Sequence, residues 1–285
     1  MKNKLLFLAF SIGASGVFAS TQPLQLDLEH ISISGLSSGG YMANQFHIAH
    51  SDWVNKVGII AGGPYFCAQG SIKTALEHCV NKMVNPIELD SLNKQATKYA
   101  TEKKIAPLSE LKNSKVWLFH GQQDNKVLPA VSEALYDAAG AMLGFLFNQL
   151  APRVSQPQGE VIELDQQRLG GQTADTLADK GYAYIPQSCA SGETCSLHIS
   201  FHGCNQNAQS IQQQYVEHSG LNNWADSNHM VVLYPQTKNS TFLPLNPQGC
   251  WDWWGYADEN YATQDGKQIQ AVKQLANALQ HYSFQ

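Results

Sequence analysis

The clearest chemistry in this chain lies in the run Gly35-Leu-Ser-Ser-Gly39. A Gly-x-Ser-x-Gly order suits acyl transfer when the serine sits on a tight turn between a strand and a helix. Glycines without a Cβ let the chain bend sharply enough to hold the hydroxyl out at the end of a sheet. Both flanks are present here: Ile31 and Ile33 alternate before the turn, and Tyr41, Met42, Phe46 and Ile48 follow at helical spacing. Ser37 is therefore the candidate nucleophile. The backbone N–H of Ser38 is placed to meet negative charge forming on a carbonyl oxygen. An ordinary Gly/Ser turn could carry the same letters, and the strand before and helix after are what favour the catalytic reading. Such a serine needs an acid–base partner. Downstream, Lys115-Val-Trp-Leu-Phe-His-Gly121 reads as a buried strand that empties into Gln122-Gln-Asp-Asn-Lys-Val127. Asp124, just past the glycine, is the candidate acid; a solvated loop aspartate is the competing reading.

The elements that position these groups alternate along the chain. Residues 1–19 read as a signal peptide: Lys2 and Lys4 precede the apolar run Leu5 to Ile12, and Val17-Phe-Ala19 offers small residues at the two positions a signal peptidase reads. That run is shorter than the roughly 20 residues a bilayer-spanning helix needs. The expectation is a secreted or periplasmic protein without a membrane span, with residues 20–285 forming one α/β domain. The formal net charge of −5, made more negative by loss of Lys2 and Lys4, argues against nucleic acid or another polyanion as partner. Strand-like runs follow at Lys56–Gly63, Glu160–Asp165, Tyr182–Pro186, Leu197–Cys204 and Met230–Pro235. Helical patterns lie at 89–104, Pro129–Leu150, Ser210–Ser227 (with Leu221 and Trp224 inward) and Lys267–Tyr282. Strands alternating with helices predict a mainly parallel sheet flanked by helices. Six cysteines in an oxidising compartment suggest three disulfides, among the several pairings six allow. Cys189 with Cys195 and Cys67 with Cys79 are near enough to close small loops, which leaves Cys204 with Cys250; free thiols are the alternative. No Cys-x-x-Cys or His–Cys spacing points to a metal, and no cofactor is implied.

The motif order is unusual. An α/β hydrolase carries its His-Gly oxyanion segment before the serine elbow, then the acid, then the histidine. Here Phe201-His-Gly-Cys204 follows both Ser37 and Asp124. Joining the helix 267–282 to Leu26-Asp-Leu-Glu-His-Ile31 restores the usual order, so a circular permutation is expected. Five blocks then point to one family: Gly35-Leu-Ser-Ser-Gly-Gly-Tyr-Met-Ala43, Ala61-Gly-Gly-Pro-Tyr65, Tyr184-Ile-Pro-Gln-Ser-Cys-Ala-Ser-Gly192, Leu197 through Cys204, and Gly249-Cys-Trp-Asp-Trp-Trp-Gly-Tyr256. In these, over most of residues 20–285, the sequence resembles the secreted, circularly permuted, single-domain poly(3-hydroxybutyrate) depolymerases. The resemblance implies a circularly permuted α/β-hydrolase fold and a serine esterase that acts on a water-insoluble hydroxyalkanoate polyester. It implies Ser37 as nucleophile, Asp124 as acid, Ser38 and Cys204 N–H groups as oxyanion hole, and the block of Trp251, Trp253 and Trp254 near the crevice that receives the polymer or oligomer, with core packing as the competing reading of the tryptophans. A disulfide at Cys204 would pin its N–H.

One part of the pattern is missing. The family carries its last parallel strand and the loop with the catalytic histidine between the acid and a helix that here begins near Tyr136, and no histidine lies between Asp124 and Tyr136. His202 is the nearest candidate base by topology, and only a weak one; His47, His50, His120 and His198 read as structural or exposed. Two function classes follow: an esterase of this family, or an impaired relative that binds polyester or another apolar surface. Loss of the last strand would also bare the apolar side of Lys115–Phe119, so self-association is expected.

Overall fold

The computed structural model describes residues 23–80, 88–121 and 131–282. The sheet is built around the strand that ends in the candidate nucleophile. β1 (Leu26–Leu36) pairs in parallel with β2 (Val54–Ile60) on one side and β6 (Cys195–Phe201) on the other. β2 pairs in parallel with β3 (Lys115–Phe119), and β6 with β7 (Met230–Tyr234). β5 (Lys180–Ile185) runs antiparallel to both β7 and β4 (Glu160–Asp165). The order across the seven-stranded sheet is β3-β2-β1-β6-β7-β5-β4. Both faces of the central strands are covered: Ile31, Ile33, Leu197, Ile199, Val231 and Leu233 are buried on one, and Ser32, Ser34, His198, Ser200 and Val232 on the other, so only β7 reads as an apolar run while β1 and β6 alternate.

Helix α1 (Ser38–Ala49) and the helix Lys267–Leu279 supply Met42, Phe46, Ile269, Val272 and Leu275 to one cluster with the core of β1 and β6. Met142, Leu143 and Leu146 of the helix Val131–Leu146, with Leu221 and Ala225 of the helix Leu221–Ser227, meet Val232 and Tyr234 in a second cluster. The apolar stretch expected over Pro129–Leu150 is thus a helix over Val131–Leu146. The single helix expected over Ser210–Ser227 is instead three short ones, Ala208–Ile211, Gln214–His218 and Leu221–Ser227. The breaks fall at Gln212 (φ 56°) and Gly220 (φ 78°), which take up left-handed backbone that no α-helix continues through.

The first and last described segments lie together. Leu24 N–H donates to Tyr282 O at 3.4 Å, and Gln280 Nε2 donates to Leu26 O at 3.3 Å, so the last helix ends beside the start of β1. The two sheet edges differ sharply. β4 presents Glu160, Glu163 and Asp165 to solvent, with Lys180 Nζ 2.7 Å from Glu163. β3 presents apolar groups instead: Val116 is 41% exposed, Leu118 71% and Phe119 48%. Among the described residues no strand covers β3, in keeping with the missing last strand. Disulfides join Cys67 to Cys79, Cys189 to Cys195 and Cys204 to Cys250, the pairing that proximity in sequence suggested.

Candidate active site

Ser37 closes β1 in a strained turn. Its φ and ψ of 55° and −118° lie where a residue with a side chain seldom sits, and the surroundings hold it there. Ser37 N–H donates to Ile60 O at the end of β2 (2.9 Å), and Ser37 O accepts from Tyr41 N–H (3.0 Å), so α1 starts at once. A Cβ on Gly35 would collide with the Gly39 carbonyl, and one on Gly39 with the carbonyls of Phe201 and His202. Both glycines of the motif are therefore required by close backbone approach. The side chain of Ser37 stays partly open to solvent while its neighbour Ser38 is buried.

The exit of β6 lies against this turn. Gly35 pairs with Phe201 in the sheet register, which brings His202, Gly203 and Cys204 alongside the elbow. Several contacts hold that segment. Gly203 N–H donates to Gln206 Oε1 (2.8 Å), Asn205 N–H to Gln248 O (2.7 Å), and the Cys204–Cys250 disulfide brings the two Cα atoms to 4.2 Å. One residue beyond Cys250, Trp251 N–H donates to Ser38 Oγ at 3.4 Å, which closes the ring of constraints back to the elbow. Neither Ser38 N–H nor Cys204 N–H is taken by an acceptor among the described residues. Two backbone donors left unused beside a strained serine are the parts an oxyanion hole requires.

Four of the five histidines considered above are engaged elsewhere, and His120 is exposed just past the end of β3. His202 is fully buried, with Nδ1 2.8 Å from Gly203 O and Nε2 accepting from Thr237 N–H at 3.3 Å. Both ring nitrogens are spent, and burial pushes its pKa down to about 4, so the weak candidate for the base is corrected to a structural residue. His198 lies within the sheet between Ser32 Oγ and Ser34 Oγ, each 2.8 Å from a ring nitrogen, and burial lowers its pKa to about 3. His47 bonds Ser114 Oγ (2.8 Å), and His50 lies 3.4 Å from Lys273 Nζ at the far end of α1. Ser37 Oγ makes no hydrogen bond among the described residues. Asp124 lies outside them.

The tryptophans also need correction. Trp251 has no exposed surface; it packs edge-on against Phe201 with ring centres 5.0 Å apart and sits 5.4 Å from the His202 ring. It supports the oxyanion segment from below and cannot touch a polymer. Trp253 is 5% exposed and stacks on Tyr41 at 4.1 Å, in a cluster with the Cys67–Cys79 disulfide. Behind the elbow a cavity of about 20 Å³ is lined by Ser34, Ser200, Tyr215 and Ser219 among others, room for about one water rather than a substrate. Thr237 and Gln206, which hold the oxyanion segment, carried no signal in the sequence. Thr237 is one of several polar loop residues and meets His202 only through the fold.

Fold and elbow together define the class, an α/β hydrolase of the serine type. A model described as the prolyl oligopeptidase family matches residues 14–143, the part that contains the elbow and the candidate acid. The chain is 35% identical to the poly(3-hydroxybutyrate) depolymerase of Delftia acidovorans over 94% of its own length and 63% of that protein. It is 32% identical to the polyhydroxybutyrate depolymerase of Talaromyces funiculosus over 95% of its own length and 96% of the relative. On that similarity the protein belongs to the polyhydroxybutyrate depolymerase family. The crystal structure of the depolymerase from Penicillium funiculosum superposes with a TM-score of 0.77 at 29% identity, covering 90% of this chain and 97% of that one. A serine-to-alanine variant of a depolymerase, complexed with an R3HB trimer, superposes with a TM-score of 0.80 at 28% identity, covering 93% of this chain and all of the other. The two sequence alignments run over 321 and 335 positions, more than the 285 residues of this chain, so the relatives carry stretches inside the matched span that are missing here.

Proposed function

We propose that this chain is a secreted serine esterase that hydrolyses poly(3-hydroxybutyrate) or its oligomers. Ser37 attacks the ester carbonyl and Ser38 and Cys204 N–H groups stabilise the oxyanion; the C–O bond to the alcohol end of the ester breaks, that end leaves as a hydroxyl with the proton the serine gives up, and water then hydrolyses the acyl-enzyme to free the acid and restore the Ser37 hydroxyl. Asp124 is retained as the acid. The observation that carries the reading is the strained Ser37 beside two unused backbone donors, in a chain whose relatives are polyhydroxybutyrate depolymerases, one of them solved with a hydroxybutyrate trimer.

An insoluble substrate is supported by the rim. β1, β2, β6 and β7 run parallel, so the segments leaving β2 and β7 emerge at the same end of the sheet as Ser37, on opposite sides of it. The first carries Ile72, Leu76 and Val80, about half exposed and one helical turn apart; the second carries Phe242 (83% exposed) and Leu243 (93%). Exposed apolar groups on both flanks of a nucleophile suit a protein that settles on an apolar solid. The same rims serve the second reading, an impaired relative that binds polyester without cutting it. That reading is favoured by the one fact that no imidazole among the described residues is bonded to Ser37. Self-association also belongs to the proposal, supported by the bare edge at β3.

An active-serine phosphonate probe separates the two readings. Covalent labelling that rises with pH and disappears in Ser37→Ala establishes the esterase. Absence of labelling at every pH, with adsorption to polymer retained, establishes the binding protein.

A further inference from the structure

His202 is a buried imidazole with a neighbour on each nitrogen, and the identity of those neighbours gives it a definite task. Gly203 O can only accept a hydrogen bond, so the ring nitrogen 2.8 Å away, Nδ1, must carry the proton. Thr237 N–H can only donate, so Nε2, 3.3 Å from it, must present its lone pair. The two contacts demand the same neutral tautomer, and neither leaves freedom for the ring to turn.

The Gly203 carbonyl belongs to the same peptide unit as the Cys204 N–H. That unit is planar and trans, so its C=O and N–H point in opposite directions. Holding the carbonyl toward the imidazole therefore fixes the N–H on the other side. The second nitrogen extends the hold. Thr237 Oγ1 donates to Gly249 O at 2.5 Å, and Gly249 precedes Cys250, the disulfide partner of Cys204. One ring thus braces the peptide plane at Gly203–Cys204 directly and the far end of the disulfide through Thr237. The disulfide restrains only the side chain of Cys204; the peptide plane is held at the Gly203 carbonyl, by the imidazole at 2.8 Å and by a longer bond from Gln206 N–H at 3.2 Å.

We infer that His202 is a positioning residue for the reaction: it orients the Cys204 N–H as an oxyanion donor by locking the Gly203–Cys204 peptide plane. This rests on the esterase reading given above. His202 moves no proton and touches no substrate.

Two replacements separate this from general structural support. In His202→Asn the side-chain amide N–H falls close to the place of Nδ1 and can still donate to Gly203 O. In His202→Gln the amide reaches the place of Nε2 and keeps Thr237 while losing Gly203. Both fill the cavity with a polar group of similar size, so a folding defect would strike both. The measurement is the first-order rate constant of phosphonate labelling at Ser37, with the reversible binding constant of the probe obtained in the same experiment. The expected result is that Asn stays within about tenfold of the natural chain, while Gln slows labelling by about 10² to 10³, the effect of losing one oxyanion donor, with probe binding unchanged. Equal rates in the two variants overturn the inference. If the natural chain itself is unreactive, the esterase reading fails and the geometry is decided by amide NMR of ¹⁵N-cysteine-labelled protein. A Cys204 resonance displaced in Gln but not in Asn supports the positioning role, and one unmoved in both overturns it.

Discussion

At the scale of single residues, the site shows how a polar group is made tolerable inside a sheet. His198 sits at the centre of the sheet with both nitrogens bonded to β1, one to Ser32 and one to Ser34. Ser32 Oγ also lies 3.4 Å from Leu197 O, so its hydroxyl can donate there while it accepts from Nδ1–H, which leaves Ser34 to donate to Nε2. Removing one partner leaves a buried nitrogen unsatisfied, and that costs about 1–3 kcal/mol. Ser34→Ala is therefore expected to lower the free energy of unfolding by about that amount in urea titration, whereas a loss near zero would show that a water takes the place of the hydroxyl. Ser37 behaves differently. No described imidazole is bonded to it, and under the proposed esterase reading an elbow and oxyanion hole without their base would keep roughly 10³ to 10⁴ over water.

At the scale of elements, the contrast between the two sheet edges governs how the protein meets other surfaces. An exposed strand edge is a template for pairing unless charge or a covering element blunts it. β4 is blunted by Glu160, Glu163 and Asp165, whereas β3 offers Val-Trp-Leu-Phe between Lys115 and His120. Leu118→Lys places a charge at a site already 71% exposed, so the fold should survive it. Sedimentation over a range of concentrations should then show self-association weakened by about tenfold or more, equivalent to about 1.4 kcal/mol; unchanged association would place the contact elsewhere. The rim segments give a second expectation. Replacing Phe242 and Leu243 by serine removes apolar contacts worth about 1.5–3 kcal/mol per side chain when fully buried. Adsorption to a polyester film should fall by about tenfold or more, and by a larger factor than any change in hydrolysis of a soluble ester.

At the scale of the whole molecule, buried histidines set the response to pH. Burial lowers the pKa of His47 and His202 to about 4 and of His50 and His198 to about 3, all below the ordinary 6.5. A group whose folded value is depressed in this way is neutral in the fold and takes up protons more readily when unfolded. Its stabilisation is complete above pH 6.5 and is lost as pH falls toward 4. Asp252 acts in the opposite sense: burial raises its pKa to about 6 even though it accepts from the N–H groups of Gly255, Tyr256 and Ala257. Stability from that group declines as pH rises from about 4 to 6. Four groups outweigh one, at about 1.4 kcal/mol per pH unit each. The melting temperature is expected to drop steadily from pH 6.5 to 4.5, and a flat profile over that window would show that the histidines are reached by water in the fold.

The sequence by itself determined the elements whose signals are local. Glycines at 35 and 39 flanking a serine, with alternation before and helical spacing after, describe a turn that depends on the next few residues only. The parallel strands were legible for a similar reason, β7 as an apolar run and β1 and β6 as apolar residues alternating with small polar ones. Short sequence separations likewise paired Cys67 with Cys79 and Cys189 with Cys195. The tertiary structure decided what depends on distant partners. Trp251 looks like a ligand-facing aromatic in the sequence and becomes a buried support because β6 and the elbow close over it. Ser210–Ser227 reads as one amphipathic helix, yet Gln212 and Gly220 turn left-handed where the chain must wrap the sheet. His202 stands beside the candidate oxyanion segment in either view, and only the fold brings Thr237 to its far nitrogen. Periodicity reports which side of an element is buried; what a buried polar group is bonded to depends on residues far along the chain, and that chemistry appears only when the chain has closed.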